Sequence, residues 1–218
     1  MDKVELVIFD MDGLIFDTEK ISYSSWVEAA KKFNINFDLN TFYRLVGTNN
    51  ESCRNSLMAE YKDKVDVDEY IREKRKINID LLINGAEKKQ GLDELLEYLT
   101  NNNIKKAVAT SSNREVALGH LRKANILQYF DYVLCGDEVK KSKPNPEVFL
   151  NVAKKLEINP RNCIVLEDSE AGVIAASRGK FKVIIIPDMK EPEKEIEELA
   201  YRKLNNLKEV IDVIEELK

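Results

Sequence analysis

The chain has 218 residues, 44% of them hydrophobic, with 34 basic and 39 acidic side chains and a formal net charge of −5. That length suits one large domain or one domain with a substantial insertion, and the apolar share supports a packed core rather than disorder. The acidic balance offers no electrostatic footprint for a polyanion, which argues against nucleic acid as a partner; a pocket for a small phosphate needs only a lysine or two.

In chain order, the first apolar run, Val4–Phe9, predicts a strand. It is too short for the apolar segment of a signal peptide and is closed by Asp10 and Asp12. No stretch reaches the length of a membrane span, so no membrane association is expected and the chain reads as cytoplasmic. From about residue 15 to 87 the pattern is helical, over Ile21–Phe33, Leu39–Val46, Ser52–Tyr61 and Val67–Ile83. Strands and helices then alternate. Strands are expected at Ile104–Ala109, Tyr132–Cys135, Cys163–Leu166 and Lys182–Ile186; helices at Leu92–Leu99, Arg114–Lys123, Pro146–Leu156 and Glu170–Ser177.

Such nearly continuous apolar runs between amphipathic segments point to strands buried on both faces, hence to an open parallel α/β sheet of Rossmann-like type. The expected organisation is an α/β core from 1–14 and 88–218, with 15–87 as an inserted helical-bundle cap. The insertion falls at the carboxyl end of the first strand, the edge where ligands bind in such sheets, so a domain hung there can cover the site. The three cysteines, Cys53, Cys135 and Cys163, have no CxxC spacing and read as packed thiols.

Asp10 and Asp12 stand two apart at the end of the first strand, so both carboxylates can face one ligand. Two such anions repel unless a cation lies between them, and a hard cation asks for more oxygen ligands. Glu167 and Asp168, at the end of a later strand, supply a second acidic pair. Neighbouring parallel strands would bring the pairs together, although a lone Asp after a strand is as readily a helix cap. The second strand ends Ala109-Thr110-Ser111-Ser112-Asn113 and runs straight into a helix, so its hydroxyls and free N–H groups form a ready anion site or a plain capping box. Lys143, ahead of Pro144 and Pro146, presents an ammonium on a stiffened loop.

Together, Asp10-Met11-Asp12-Gly13, Thr110, Lys143-Pro144 and Glu167-Asp168 with Gly172 resemble, in order, the four motifs of the haloacid dehalogenase superfamily. The wider runs DMDGLIFDT (10–18), SKPNP (142–146) and LEDSEAG (166–172) resemble its β-phosphoglucomutase and sugar-phosphate phosphatase branch, which carries a helical cap. The resemblance implies Asp10 as nucleophile, forming an aspartyl-phosphate, and Asp12 as general acid and base. It implies Mg²⁺ held by Asp10, the Asp12 carbonyl and Asp168 with Glu167 close by. Thr110, the Ser111 backbone and Lys143 would hold the phosphoryl oxygens. Asp12 also argues against carbon–halogen chemistry, since the dehalogenases lack an acid there.

Mutases of this branch carry a His in the first cap helix and an Arg in the next loop. Here Ser22 and, aligning on Gly47, Asn50 stand at those positions. The expected activity is therefore Mg²⁺-dependent hydrolysis of a small phosphorylated metabolite such as a sugar phosphate, with a phosphosugar mutase or a catalytically silent binding protein as alternatives. Thr18, Ser22 and Asn50 are candidate cap contacts to substrate. Lys74-Arg75-Lys76 could offer one cation, because three consecutive positions cannot share a helix face. Trp26 reads as core, and His120 as structural and remote from the motifs. Nothing demands more than a monomer.

Overall fold

A computed structural model describes residues 3–46, 50–83 and 85–218, with the side chains of Asn50 and Ile83 outside the description. The elements run β1 (Leu6–Phe9), α1 (Thr18–Lys32), α2 (Leu39–Leu45), α3 (Asn50–Tyr61), α4 (Val67–Ile83), α5 (Leu92–Asn101), β2 (Lys105–Ala109) and α6 (Arg114–Lys123). They continue with β3 (Tyr132–Leu134), α7 (Glu147–Lys155), β4 (Cys163–Glu167), α8 (Glu170–Arg178), β5 (Lys182–Ile185), α9 (Lys194–Glu197), β6 (Arg202–Lys203) and α10 (Val210–Glu216). Two compact units result: Met1–Asp17 with Glu87–Lys218, and Thr18–Ala86.

The first unit is built on a six-stranded sheet, order β3-β2-β1-β4-β5-β6, with every pair parallel. All four residues of β1 are buried, as are all five of β4, which is why their sequences show no alternation. Leu6 and Ile8 share one face with Cys163, Val165, Val183 and Ile185, and that face packs against Val148, Phe149 and Val152 of α7 and Val173 and Ala176 of α8. The residues between them, such as Val7, Phe9 and Leu166, are equally buried, so the opposite face is covered too. In α5 the leucines at 92, 95, 96 and 99 are all buried, one stripe of a 3.6-residue period.

Strand β1 pairs with β2 on one side and β4 on the other, so the chain order reverses across it. At such a switch point the crevice beyond the strand ends is left open for ligand. Strand β6 escapes a sequence reading. It has two exposed basic residues, and its place follows from two neighbouring backbone bonds, Tyr201 N–H to Val183 O at 2.8 Å and Leu204 N–H to Ile185 O at 2.9 Å. Short, charged and at the margin, it blunts the sheet edge.

The unit boundaries fall at 17/18 and 86/87, where the sequence pattern suggested 14/15 and 87/88. Residues 15–17 stay with the sheet unit because their backbone is tied there. Ile15 N–H bonds to Met11 O at 2.9 Å, Asp17 N–H to Glu87 O at 2.9 Å, and Phe16 bridges to Lys88.

The second unit is helical, with α1 and α4 packed along each other. Trp26 is 6% exposed, stacks on Phe37 at 5.4 Å between ring centroids, and meets Tyr70 at 5.2 Å. The Tyr70 hydroxyl donates to Trp26 O at 3.2 Å and that of Tyr61 to Asn36 O at 2.8 Å, so these buried phenols are satisfied. Among the described residues no helix is long and apolar enough to cross a membrane.

Candidate active site

Asp10 is the first residue beyond β1, and its N–H still donates to Leu166 O at 3.0 Å. The sheet ladder therefore aims its carboxylate out of the switch point. Thr110 stands one residue beyond β2, its N–H on Leu134 O at 3.1 Å, and Glu167 ends β4. Three adjacent strand ends thus carry the chemistry to one place.

Two glycines make room for it. Gly13 adopts φ +84°, a region that side chains rarely enter, and a Cβ there would lie 2.1 Å from Asp168 Oδ2. A Cβ on Gly172 would lie 1.8 Å from Glu167 Oε1. Both glycines are cradles for carboxylates.

Lys143 sits at the centre, its side chain only 6% exposed. Its ammonium donates to Asp10 Oδ1, to Glu167 Oε1 at 2.6 Å and to Ala109 O at 3.2 Å, and lies 4.9 Å from the Phe149 ring centroid. Glu167 Oε2 accepts from the N–H groups of Asp168 and Ser169 at 3.2 and 3.1 Å and from the Ser169 hydroxyl at 2.9 Å. That hydroxyl in turn accepts from Gly172 N–H at 3.1 Å and caps α8. Glu167 is thereby held rigid by the helix start and anchors Lys143.

Burial pushes the Asp10 carboxyl up to about 8; the Lys143 charge opposes this, while Glu167 and Asp12 add to it. For Lys143, burial favours the neutral amine, but the charges of Asp10 and Glu167 outweigh it and hold the group above its ordinary value. Asp12 is fixed separately: Ser112 Oγ donates to its Oδ2 at 2.7 Å and Thr110 Oγ1 at 3.4 Å, and Ser112 N–H bonds Thr110 Oγ1 at 3.0 Å.

Asp10, Glu167 and Asp168 each offer an oxygen, all within 4.8 Å of one another. Two of these carboxylates, Asp10 and Glu167, pair with the Lys143 ammonium, and Asp12 is close enough to Asp10 to act on its charge. An all-oxygen, anion-rich set of this kind fits a hard divalent cation such as Mg²⁺.

Asp10, Asp12, Thr110, Lys143, Glu167 and Asp168 are thus assembled in the sheet unit. Ser111 is exposed, with its backbone carbonyl against Gly136. Thr18 and Ser22 lie on α1 in the helical unit, and Asn50 opens α3 there; the Asn50 side chain and Gly47 fall outside the described residues. One expectation is corrected. His120 is not remote from the motifs: its ring meets Phe16, in the loop after Asp12, edge-on at 5.8 Å. Ser112, part of the same hydroxyl-rich turn as Thr110, bonds Asp12 rather than serving only as a helix-start hydroxyl, a role its sequence position does not reveal.

A doubly wound parallel sheet with a carboxylate cluster, a buried lysine and hydroxyls at its switch point defines an α/β protein suited to an anionic ligand held beside a cation. The family model described as haloacid dehalogenase-like hydrolase matches residues 7–186, and the chain belongs to that family. A phosphorylated carbohydrates phosphatase of Thermotoga maritima is 30% identical over 219 residues, covering 98% of this chain and 100% of that protein. β-Phosphoglucomutase of Bacillus subtilis is 31% identical over 188 residues, covering 83% of this chain and 82% of the relative. The crystal structure of β-phosphoglucomutase from Clostridium difficile matches with a TM-score of 0.72 at 27% identity, covering 98% of this chain and 96% of that one.

Proposed function

We propose that this protein is a Mg²⁺-dependent phosphatase of small phosphorylated metabolites, sugar phosphates among them, acting through an aspartyl-phosphate on Asp10. The observation that carries the reading is the convergence of Asp10 and Asp12, Thr110, and Glu167 and Asp168 from three adjoining strand ends around Lys143. Similarity to a phosphorylated carbohydrates phosphatase supports the substrate class.

In this reading a carboxylate oxygen of Asp10 attacks phosphorus and the bond to the leaving oxygen breaks. Asp12 gives its proton to that oxygen and afterwards takes one from the water that attacks the acyl phosphate. Lys143, Thr110 and the Ser111 N–H hold the non-bridging oxygens, where phosphoryl transfer concentrates negative charge. Asp10, Asp168, the Asp12 carbonyl and, at its margin, Glu167 would hold Mg²⁺, which supplies charge neutralisation and keeps Asp10 ionised against the pull of burial. Glu167 contributes chiefly by pinning Lys143.

The relatives named β-phosphoglucomutase favour a second reading, a phosphosugar mutase. Against it, Ser22 occupies the place of the imidazole expected in a mutase. A phosphometabolite panel, scored both for released phosphate and for isomerised product, separates the two. Phosphate release that needs Mg²⁺ and disappears in Asp10→Asn is expected. Isomerised product without phosphate release would replace the phosphatase reading with the mutase one.

A further inference from the structure

In the turn between β2 and α6, the backbone of Ser112 is fixed on both sides. Its N–H donates to Thr110 Oγ1 at 3.0 Å, and its carbonyl accepts from Gly136 N–H at 2.9 Å. The cap of α6 is Asn113, whose side chain accepts from Val116 N–H at 3.0 Å. The Ser112 hydroxyl is therefore not engaged in starting the helix. It donates instead to Asp12 Oδ2 at 2.7 Å, joining two half-buried residues 100 positions apart.

The donor directions follow from the same bonds. Thr110 Oγ1 accepts the Ser112 N–H, so its own proton can turn to the same Asp12 oxygen at 3.4 Å. Oδ2 thus takes two hydroxyls, whereas Oδ1 takes no hydrogen bond among the described residues. A proton on Oδ2 would have to displace one of those donors. A proton on Oδ1 displaces nothing. The turn gives the two oxygens different tasks, one held and one left to exchange a proton.

We propose that Ser112 is a positioning residue for proton transfer: it holds Asp12 by Oδ2 so that Oδ1 serves the leaving oxygen. Its contribution is greatest for phosphate esters of alcohols, whose alkoxides depart poorly without a proton. The inference rests on the phosphatase reading. As Asp10 bonds to phosphorus and the bond to the leaving oxygen breaks, that oxygen keeps the electron pair and takes the proton from Oδ1. In the second step water gives a proton back to Oδ1 while its oxygen bonds to phosphorus and the bond to Asp10 breaks. No further reactant is needed.

Leaving-group basicity provides the test, because an alkoxide is a far stronger base than 4-nitrophenolate and gains far more from a proton given as it leaves. With Mg²⁺ present, kcat/KM, which covers the steps up to departure, is measured for 4-nitrophenyl phosphate, phenyl phosphate and the best alkyl phosphate of the metabolite panel. Ser112→Ala should lower kcat/KM for the alkyl ester by at least about tenfold, the effect of losing one charge-assisted hydrogen bond. The fall should stay below the roughly 10²–10⁴-fold that a whole proton transfer supplies. With 4-nitrophenyl phosphate the change should be within about twofold, and with phenyl phosphate in between. Equal falls for the three esters, or no change with any, would overturn the inference while leaving the phosphatase reading intact. A crystal structure of Ser112→Ala should show the Asp12 carboxylate turned from its present direction or divided between two; an unmoved carboxylate overturns the inference as well. If the wild-type protein releases phosphate from no ester, the phosphatase reading fails and this role falls with it.

Discussion

The sheet unit buries a lysine and the helical unit half-buries one, and the two are treated in opposite ways. In the sheet unit, Lys143 sits between Asp10 and Glu167, and the network is closed by Ser169, Gly172 and the start of α8. In the helical unit, Lys74 has a hydroxyl and an indole face. A buried ammonium paired with carboxylates is held charged and fixed in place; one desolvated without a carboxylate bonded to it is shifted toward neutrality. The first arrangement suits a reaction that needs positive charge at a set position.

Breaking the first arrangement should have the largest effect. Lys143→Met leaves Asp10 and Glu167 buried without their cation, so unfolding free energy should fall by about 3–5 kcal/mol. Phosphate release should fall by about 10²–10³-fold as well, the usual effect of removing one stabiliser of transition-state charge. Denaturant titration and steady-state kinetics read the two. Next in size, Gly172→Ala forces a methyl against the Glu167 carboxylate, which the α8 cap prevents from retreating. A stability loss of about 1–3 kcal/mol is expected from this overpacking, with Lys143 displaced and activity lowered in parallel.

A gentler probe is pH. Burial raises the folded-state value of Asp10 from 3.8 to about 8, so its contribution to metal-free stability is complete below about pH 4 and is lost as pH rises through about 8. A cation that accepts the ionised carboxylate offsets that loss. The rise in Tm on adding Mg²⁺ should therefore grow between pH 5 and pH 8 and shrink in Asp168→Asn. Equal shifts at both pH values would separate Asp10 from the cation site.

The smallest effect has the opposite sign. Lys74 is lowered from 10.5 to about 8, so its contribution is present above 10.5 and lost as pH falls through about 8. At pH 7 Lys74→Met should raise Tm by a few degrees, at about 2–4 °C per kcal/mol for a chain of this size. The gain should fade toward pH 10.5.

The same contrast explains what could be read from residues alone. Asp10, Asp12, Thr110, Lys143, Glu167 and Asp168 follow strands or stiff turns, so periodicity and motif order together place them at one sheet edge. Their wiring was not legible. That Glu167 pins Lys143, and that Ser112 rather than Ser111 reaches Asp12, depends on side-chain directions within a turn. The Phe16–His120 contact joins residues more than a hundred positions apart in sequence, and β6 is too short and polar to give a pattern. In α4, helical geometry allowed only one of Lys74, Arg75 and Lys76 to turn inward; the packing of α1 against α4 selects Lys74, while Arg75 and Lys76 are exposed.

Trapping the covalent intermediate tests the central claim most directly. Protein quenched in acid during turnover with Mg²⁺, reduced with borohydride and digested should show homoserine in place of Asp10 by mass spectrometry. Steady phosphate release with Asp10 recovered unmodified, or with the label on another residue, would contradict the mechanism.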